Sequence, residues 1–323
     1  MATRDDNRDL GFGSVVSQES RQRLLNRDGS FNVVRDGLPF WSSLSPYHAL
    51  LGLSWPAFLA LAATAYGLIN GLFAGLYLLC GSASLQSMEP FPIADPFLRA
   101  FFFSVETFGT IGYGNIAPVG FAAHMIVTLE SFLGLTSLAL ATGITFARFS
   151  RPSIRLLFSR SAVVAPYRGI SAFEFRVVNL RRSQLLEVEC KVFLSRVEPR
   201  GGKPFRNFYN LPLERTKVSF FPAAWTIVHP IDDESPLRGA TRDSLLAQDA
   251  EFIVLLTGYD ETFAAIVNTR TSYKPHEIVW GAKFADIFNH GDPRGVMSID
   301  VGRLHQIETV PLAEPAPVYL PQP

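Results

Sequence analysis

Two long apolar runs set the first half of this chain apart from the second. Trp55–Leu79 contains no charged residue, and residues 121–146 are apolar except for His124 and Glu130. A helix needs about 20 such residues to cross a bilayer, so each run predicts a membrane span. Pro56 stands where a first helical turn tolerates proline. Between the runs, Pro96-Phe-Leu-Arg-Ala-Phe-Phe-Phe-Ser-Val-Glu-Thr-Phe108 is apolar but too short to span, with Asp95 as expected N-cap and Pro96 as first helical residue. Upstream, within residues 40–53, Trp41, Leu44, Tyr47, His48 and Leu51 fall at helical spacing, which predicts an amphipathic helix lying in the membrane interface.

From about residue 160 the period changes to two. Phe173-Glu-Phe-Arg-Val177 and Leu186-Glu-Val-Glu-Cys-Lys-Val192 alternate apolar with polar, and residues 252–256 form a continuous apolar run suited to a buried strand. Such strands, separated by Pro, Gly and Asp, predict a β-sandwich of one-domain size. The tail after Val310 carries Pro311, Pro315, Pro317, Pro321 and Pro323, a composition that predicts disorder. Residues 1–35 read the same way, with no apolar core for a signal peptide. The expected division is therefore 1–35 disordered, 36–152 membrane-embedded, 153–310 β-sandwich and 311–323 a disordered tail.

Charge orients the spans. Arg21, Arg23, Arg27 and Arg35 precede the first, and Arg148, Arg151, Arg155 and Arg160 flank the end of the second. The connection 81–120 has only Arg99, against Glu89, Asp95 and Glu106. The positive-inside rule then places both termini in the cytoplasm of a multi-pass inner-membrane protein. Over 323 residues the net charge is zero, so bulk electrostatics predicts no nucleic-acid partner. The cysteines, Cys80 in an apolar run and Cys190 in a strand-like stretch, predict neither a disulfide nor a metal site. Asp232-Asp-Glu234 reads as a solvated turn, and no nucleophile–base constellation is legible, so no enzyme and no cofactor are expected.

The most specific stretch is Thr107-Phe-Gly-Thr-Ile-Gly-Tyr-Gly114. Gly112 and Gly114 can take backbone conformations denied to residues with a Cβ. Glycines bracketing Ile111 and Tyr113 let successive carbonyls point one way. Four copies around an axis would stack rings of oxygens that replace the hydration shell of K⁺, with the Thr110 hydroxyl adding a ring. The stretch resembles the selectivity filter of potassium channels. Gly112-Tyr-Gly-Asn-Ile-Ala117 also fits a dinucleotide fingerprint, but an apolar helix-like run precedes it and Pro118 follows, so the βαβ context that an oxidoreductase would need is missing.

Three stretches together resemble the prokaryotic inward-rectifier potassium channels, the KirBac family. They are Phe103-Ser-Val-Glu-Thr-Phe-Gly-Thr-Ile-Gly-Tyr-Gly114, then Ala147-Arg-Phe-Ser-Arg-Pro152, then Trp225-Thr-Ile-Val-His-Pro-Ile-Asp-Asp-Glu-Ser-Pro-Leu237 with Thr269-Arg-Thr-Ser-Tyr273 and Glu277-Ile-Val-Trp280. The resemblance implies a two-helix pore domain with a re-entrant pore helix and filter, followed by an immunoglobulin-like cytoplasmic β-sandwich. It implies a homotetramer that conducts K⁺ through carbonyls of Thr110, Ile111, Gly112, Tyr113 and Gly114, K⁺ being the permeant ion and the only metal.

The same resemblance assigns Glu106, Thr107 and Glu130 to supporting the filter. Eukaryotic members pair the Glu106 carboxylate with an Arg soon after the filter; this chain has Asn115 there. Glu130, ionisable within a span, reads either as a functional group or as a neutral acid hydrogen-bonded to the pore loop. Leu138, Thr142 and Phe146 share a helical face, which the resemblance makes the cavity wall, with Phe146 a hydrophobic gate. Leu138 stands where strong rectifiers place an acid, so weak rectification is expected. Gly134 and Gly143 are candidate hinges. Ala264, Ala265 and Ile266 align with the loop that narrows the cytoplasmic pore. Arg148, Arg151 and Arg155 are candidate sites for anionic phospholipids. The rival readings are a poorly selective cation pore and a membrane-anchored ligand sensor with a non-conducting pore.

Overall fold

The computed structural model describes residues 10–11, 23–32, 45–81, 83–87, 94–151, 155–181, 184–221, 223–289 and 298–312. They fall into two compact units, Asp36–Arg151 and Met1–Arg35 with Pro152–Pro323. The helical unit is thus an insertion between two pieces of the β unit.

The helical unit begins with α1 (Pro46–Gly52), the described part of the expected interfacial helix; Trp41 and Leu44 lie outside the described residues. Ser54 caps α2 (Trp55–Leu79). Asp95 caps α3 (Pro96–Phe108) by accepting the Leu98 N–H at 2.9 Å, with proline in the first turn as the sequence predicts. The second long helix, α4 (Phe121–Phe149), runs three residues past the expected end at 146, because Ala147, Arg148 and Phe149 carry no helix breaker. Among the described residues, α2 and α4 are the two helices long and apolar enough to cross a membrane. A short antiparallel ladder, β1 (Leu85–Ser87) with β2 (Ile116–Pro118), pairs Leu85 with Pro118. The core of this unit gathers Phe73, Ala74 and Tyr77 of α2 against Ala100 and Phe103 of α3, with the Tyr77 and Phe103 rings edge-to-face at 5.1 Å.

The β unit contains two five-stranded sheets. One is built from β3 (Leu156–Phe158), β4 (Ala162–Tyr167), β5 (Ile170–Asn179), β9 (Ala224–Ile231) and β12 (Ile278–Trp280). The other holds β6 (Leu185–Arg200), β7 (Lys203–Asn210), β8 (Lys217–Phe221), β10 (Glu251–Asp260) and β11 (Ala265–Tyr273). Among the described strands only β4 and β12 pair in parallel. Phe173, Phe175 and Val177 of β5 face Val188, Cys190 and Val192 of β6 and Phe252, Val254 and Leu256 of β10 in one core. The Phe173 and Phe252 rings stack at 4.4 Å across the two sheets. Alternation therefore reports the inner face, with one slip. Leu185 is buried where the pattern predicts Leu186, because Glu187 sits at φ +51° in a bulge that shifts the phase.

Residues 23–32 differ from the disorder expected for 1–35. Leu24 and Leu25 are buried beside Ile253, and their N–H groups donate to the two oxygens of the buried Glu251 carboxylate at 2.8 and 3.0 Å. Arg23 and Arg27 both pair with Glu277, at 2.9 and 3.1 Å. Arg27 also lies over the Tyr273 ring. Two leucines and a buried carboxylate are enough to order a polar segment, because the carboxylate replaces the water its backbone would otherwise need. Of the expected tail, residues 313–323 lie outside the described residues.

His229 on β9 is buried, its Nδ1 donating to the Pro212 carbonyl at 2.5 Å and its Nε2 accepting from the Ser235 hydroxyl at 2.8 Å. Burial pulls its pKa below the ordinary histidine value, against the opposing pull of the Pro212 carbonyl. The unfolded chain therefore takes up the proton first. Stability is fully present above about pH 6.5 and is lost as pH falls through the lowered folded value. Thermal unfolding between pH 7.5 and 5 should show a falling midpoint whose slope is reduced in His229→Asn; an equal slope in the variant would assign the acid sensitivity elsewhere.

Candidate ion-conduction site

The loop after α3 has the backbone that the sequence predicts for its glycines. Thr110, Gly112 and Gly114 stand at φ +56°, +59° and +81°, while Ile111 and Tyr113 between them have negative φ. Alternation of hand along a strand is the condition under which successive carbonyls can face one side, as carbonyl coordination of a dehydrated cation demands. Thr110 was not legible as a left-handed position, since it carries a β-branched side chain. The last turn of α3 takes up the loop's donors. The Thr110 N–H donates to the Thr107 carbonyl at 3.1 Å, and the Ile111 and Gly112 N–H groups donate to the Glu106 carbonyl at 2.8 and 3.3 Å. Ile111 and Tyr113 side chains are exposed in the single chain.

Glu106 and Thr107 thus hold the loop through backbone carbonyls. Among the described residues of the single chain no group hydrogen-bonds the Glu106 carboxylate, and position 115 is Asn rather than Arg. The polar support lies instead behind α3. Glu130 of α4 is fully buried; the Tyr77 hydroxyl of α2 donates to its Oε2 at 2.5 Å, and Ser104 of α3 bonds its Oε1. Ser104 also meets Asn70 Oδ1 at 2.9 Å, and Asn70 Nδ2 donates to the Tyr66 carbonyl at 2.7 Å. Sequence reasoning found Glu130 and missed Tyr77, Ser104 and Asn70. Their one signal was polarity in largely apolar helices, and it was weak, because Asn70 and Tyr77 share α2 with Thr64 and Tyr66 and Ser104 shares α3 with Arg99, Glu106 and Thr107.

Gly134 is a contact glycine. A Cβ there would stand 2.4 Å from the Phe108 carbonyl oxygen, so α4 passes against the end of α3 at this residue. That close approach accounts for the glycine without a hinge. Gly143 has open space around it. Leu138, Thr142 and Phe146 are exposed along one face of α4, and Thr142 bonds its hydroxyl to the Leu138 carbonyl at 2.8 Å. Thr142 and Phe146 line a shallow groove with Ala141, Thr145 and Phe149.

The three arginines part company. The Arg148 guanidinium donates to the carbonyls of Leu50 and Leu53, the latter at 2.8 Å, and lies over the rings of Trp55 and Phe58 at 4.7 and 4.5 Å. It ties the end of α4 to α1 and the start of α2, while its Nε is buried with no hydrogen-bond partner among the described residues. Arg151 is exposed and reaches the Leu51 carbonyl at 3.4 Å. Arg155 is exposed at the start of the β unit. In that unit, Ala264, Ala265 and Ile266 form the turn and first residues joining β10 to β11. Ala264 stands at φ +48° and Ile266 is exposed. Buried Asp260 accepts the N–H groups of Thr262 and Phe263 at 2.9 and 3.3 Å and so fixes this turn.

Two substitutions test this packing. Gly134→Ala should cost about 1–3 kcal/mol by overpacking against backbone. Arg148→Lys, which keeps charge but cannot span both carbonyls, should cost about 2 kcal/mol. Thermal unfolding of the purified protein followed by helical circular dichroism reads both; midpoints equal to the native one would contradict these contacts.

Comparison with known proteins agrees with the geometry. Residues 156–319 match the family described as the inward rectifier potassium channel C-terminal domain, and residues 68–151 match the ion channel family. The chain is 40% identical over 297 residues to "Inward rectifier potassium channel Kirbac3.1" of Paramagnetospirillum magnetotacticum, spanning 91% of this chain and 99% of that relative. It is 30% identical over 321 residues to the human "G protein-activated inward rectifier potassium channel 3", covering 91% of this chain and 79% of the relative. It is also 28% identical over 333 residues to "Inward rectifier potassium channel irk-1" of Caenorhabditis elegans, covering 94% and 60%. A two-span helical unit with an alternating-hand loop, followed by a β unit of this family, places the chain in the inward rectifier potassium channel family.

Proposed function

We propose that four copies of this chain assemble around an axis to form a K⁺-selective channel in the inner membrane, with both termini in the cytoplasm. The observation that carries the reading is the alternation of left-handed φ at Thr110, Gly112 and Gly114 around Ile111 and Tyr113. One chain supplies a quarter of each carbonyl ring, so coordination requires the tetramer. K⁺ exchanges water for the carbonyls of residues 110–114, as the permeant ion rather than as a resident cofactor.

Below the filter, Leu138, Thr142 and Phe146 line the cavity, and the four Phe146 side chains close it by dewetting. Gly143 is the site at which α4 can bend. Ala264, Ala265 and Ile266 form a second constriction in the cytoplasmic domain. Leu138 offers no carboxylate to a cationic blocker, so rectification is weak. Anionic phospholipids modulate the gate through Arg148, Arg151 and Arg155, whose charges are each worth about 1 kcal/mol near such a surface. The membrane domain runs over 36–152 and the cytoplasmic domain over 153–310, with residues 23–32 as an added part of the latter.

Uptake of radioactive rubidium into proteoliposomes of the purified protein tests this reading. External K⁺ and Ba²⁺ should suppress uptake and Na⁺ should not. Gly112→Ala, which puts a Cβ on a residue at φ +59° at a cost of about 1–2 kcal/mol in each of four chains, should abolish selective uptake. Uptake that Na⁺ suppresses equally would favour an unselective cation pore. No uptake at any lipid composition or pH would favour a sensor with a closed pore.

A further inference from the structure

The cluster behind α3 fixes where its protons are. Asn70 Nδ2 donates to the Tyr66 carbonyl, so the Asn70 oxygen is the atom facing Ser104. That oxygen has no proton to give. The Ser104 hydroxyl has one, and it meets two oxygens, Asn70 Oδ1 and Glu130 Oε1. If Glu130 were a carboxylate, Ser104 could serve only one of them. The other contact would be two buried oxygens face to face with no hydrogen between them.

One assignment uses every contact. Ser104 donates to Asn70 Oδ1, Glu130 Oε1–H donates to Ser104 Oγ, and the Tyr77 hydroxyl donates to Glu130 Oε2. The surroundings agree. Asn70, Tyr77, Ser104 and Glu130 are all fully buried, and among the described residues no cation pairs with Glu130. Arg99, the cation on α3, donates to the Leu85 carbonyl at 2.6 Å instead. Among the described residues Tyr77 is the single titratable group hydrogen-bonded to the carboxyl. A buried charge with no counter-ion is expensive, whereas a neutral acid with both oxygens bonded is not.

We propose that Glu130 is held as a neutral carboxylic acid at neutral pH, and that its O–H to Ser104 makes it the positioning residue that registers α3, and with it the 110–114 loop, against both spans. The protonation stands on hydrogen-bond direction, with burial and the lack of a cation partner among the described residues in agreement. The positioning role rests on the channel reading above.

Infrared spectra of the full-length protein at neutral pH test the proton directly. The native protein should show the carbonyl stretch of a protonated carboxyl that Glu130→Gln removes. Tyr77→Phe, which deletes the bond accepted by the carbonyl oxygen, should move that band to higher frequency, and it carries the test if the Gln variant does not fold. A native spectrum with no band that Glu130→Gln removes or Tyr77→Phe shifts would overturn the proposal. Rubidium uptake tests the positioning. Glutamine can donate N–H to Ser104 and accept from Tyr77, so Glu130→Gln should keep K⁺ discrimination over Na⁺ while Glu130→Leu loses it. A Gln variant as impaired as the Leu variant would overturn the positioning role. Absence of uptake in the native protein would count against the channel reading and leave the infrared result standing.

Discussion

Backbone polar groups inside a bilayer must find partners within the protein, and an irregular loop at that depth survives only if it is buried or lines water. The helical unit is organised around this constraint. Residues 110–114 form neither helix nor strand, yet they lie between two helices that span. The N–H groups of Thr110, Ile111 and Gly112 are taken by the carbonyls of Glu106 and Thr107. Alternating hand at Thr110, Gly112 and Gly114 leaves the carbonyls as the unspent side of the backbone. Under the proposed reading, K⁺ shared by four chains takes up these oxygens, so that assembly and conduction both follow from the same row of carbonyls.

The remaining contacts of this unit serve to keep that loop in place. Gly134 lets α4 come down on the Phe108 carbonyl at the end of α3. Tyr77, Ser104 and Glu130 join α2, α3 and α4 through buried hydrogen bonds, where an unmade bond is costly. At the other end of α4, Arg148 gathers the carbonyls of Leu50 and Leu53 and two aromatic rings. Arg148 thus joins α4 to α1 and α2, while Arg151 and Arg155 are exposed. Because residues 23–32 belong with the β unit, the chain enters and leaves the two-span unit from the same domain.

Much of the fold was legible because its signals are local. Apolar length gave α2 and α4, Asp95 and Pro96 gave the start of α3, and alternation gave the inner faces of β5 and β6 up to the bulge at Glu187. The 110–114 loop was legible because glycine reports backbone geometry directly. Thr110 escaped because its left-handed φ is imposed by the neighbouring hydrogen bonds rather than by its own side chain. Tyr77, Ser104 and Asn70 escaped because their partners are 53, 26 and 34 residues away, and nothing local marks such a pairing. Residues 23–32 look disordered by composition because the carboxylate that orders them, Glu251, stands 227 residues beyond Leu24. The contacts of Arg148 with Leu50, Leu53, Trp55 and Phe58 escaped because sequence reports a charge and not where its donors go.

The most direct measurement is an electron cryo-microscopy reconstruction of the purified protein in K⁺ solution, paired with one in Na⁺. The account predicts a fourfold assembly with density on the axis, in line with the carbonyls of residues 110–114, that is strong in K⁺ and weakened or rearranged in Na⁺. A particle without fourfold symmetry, or a fourfold particle whose axial density is absent or the same in both salts, would contradict it.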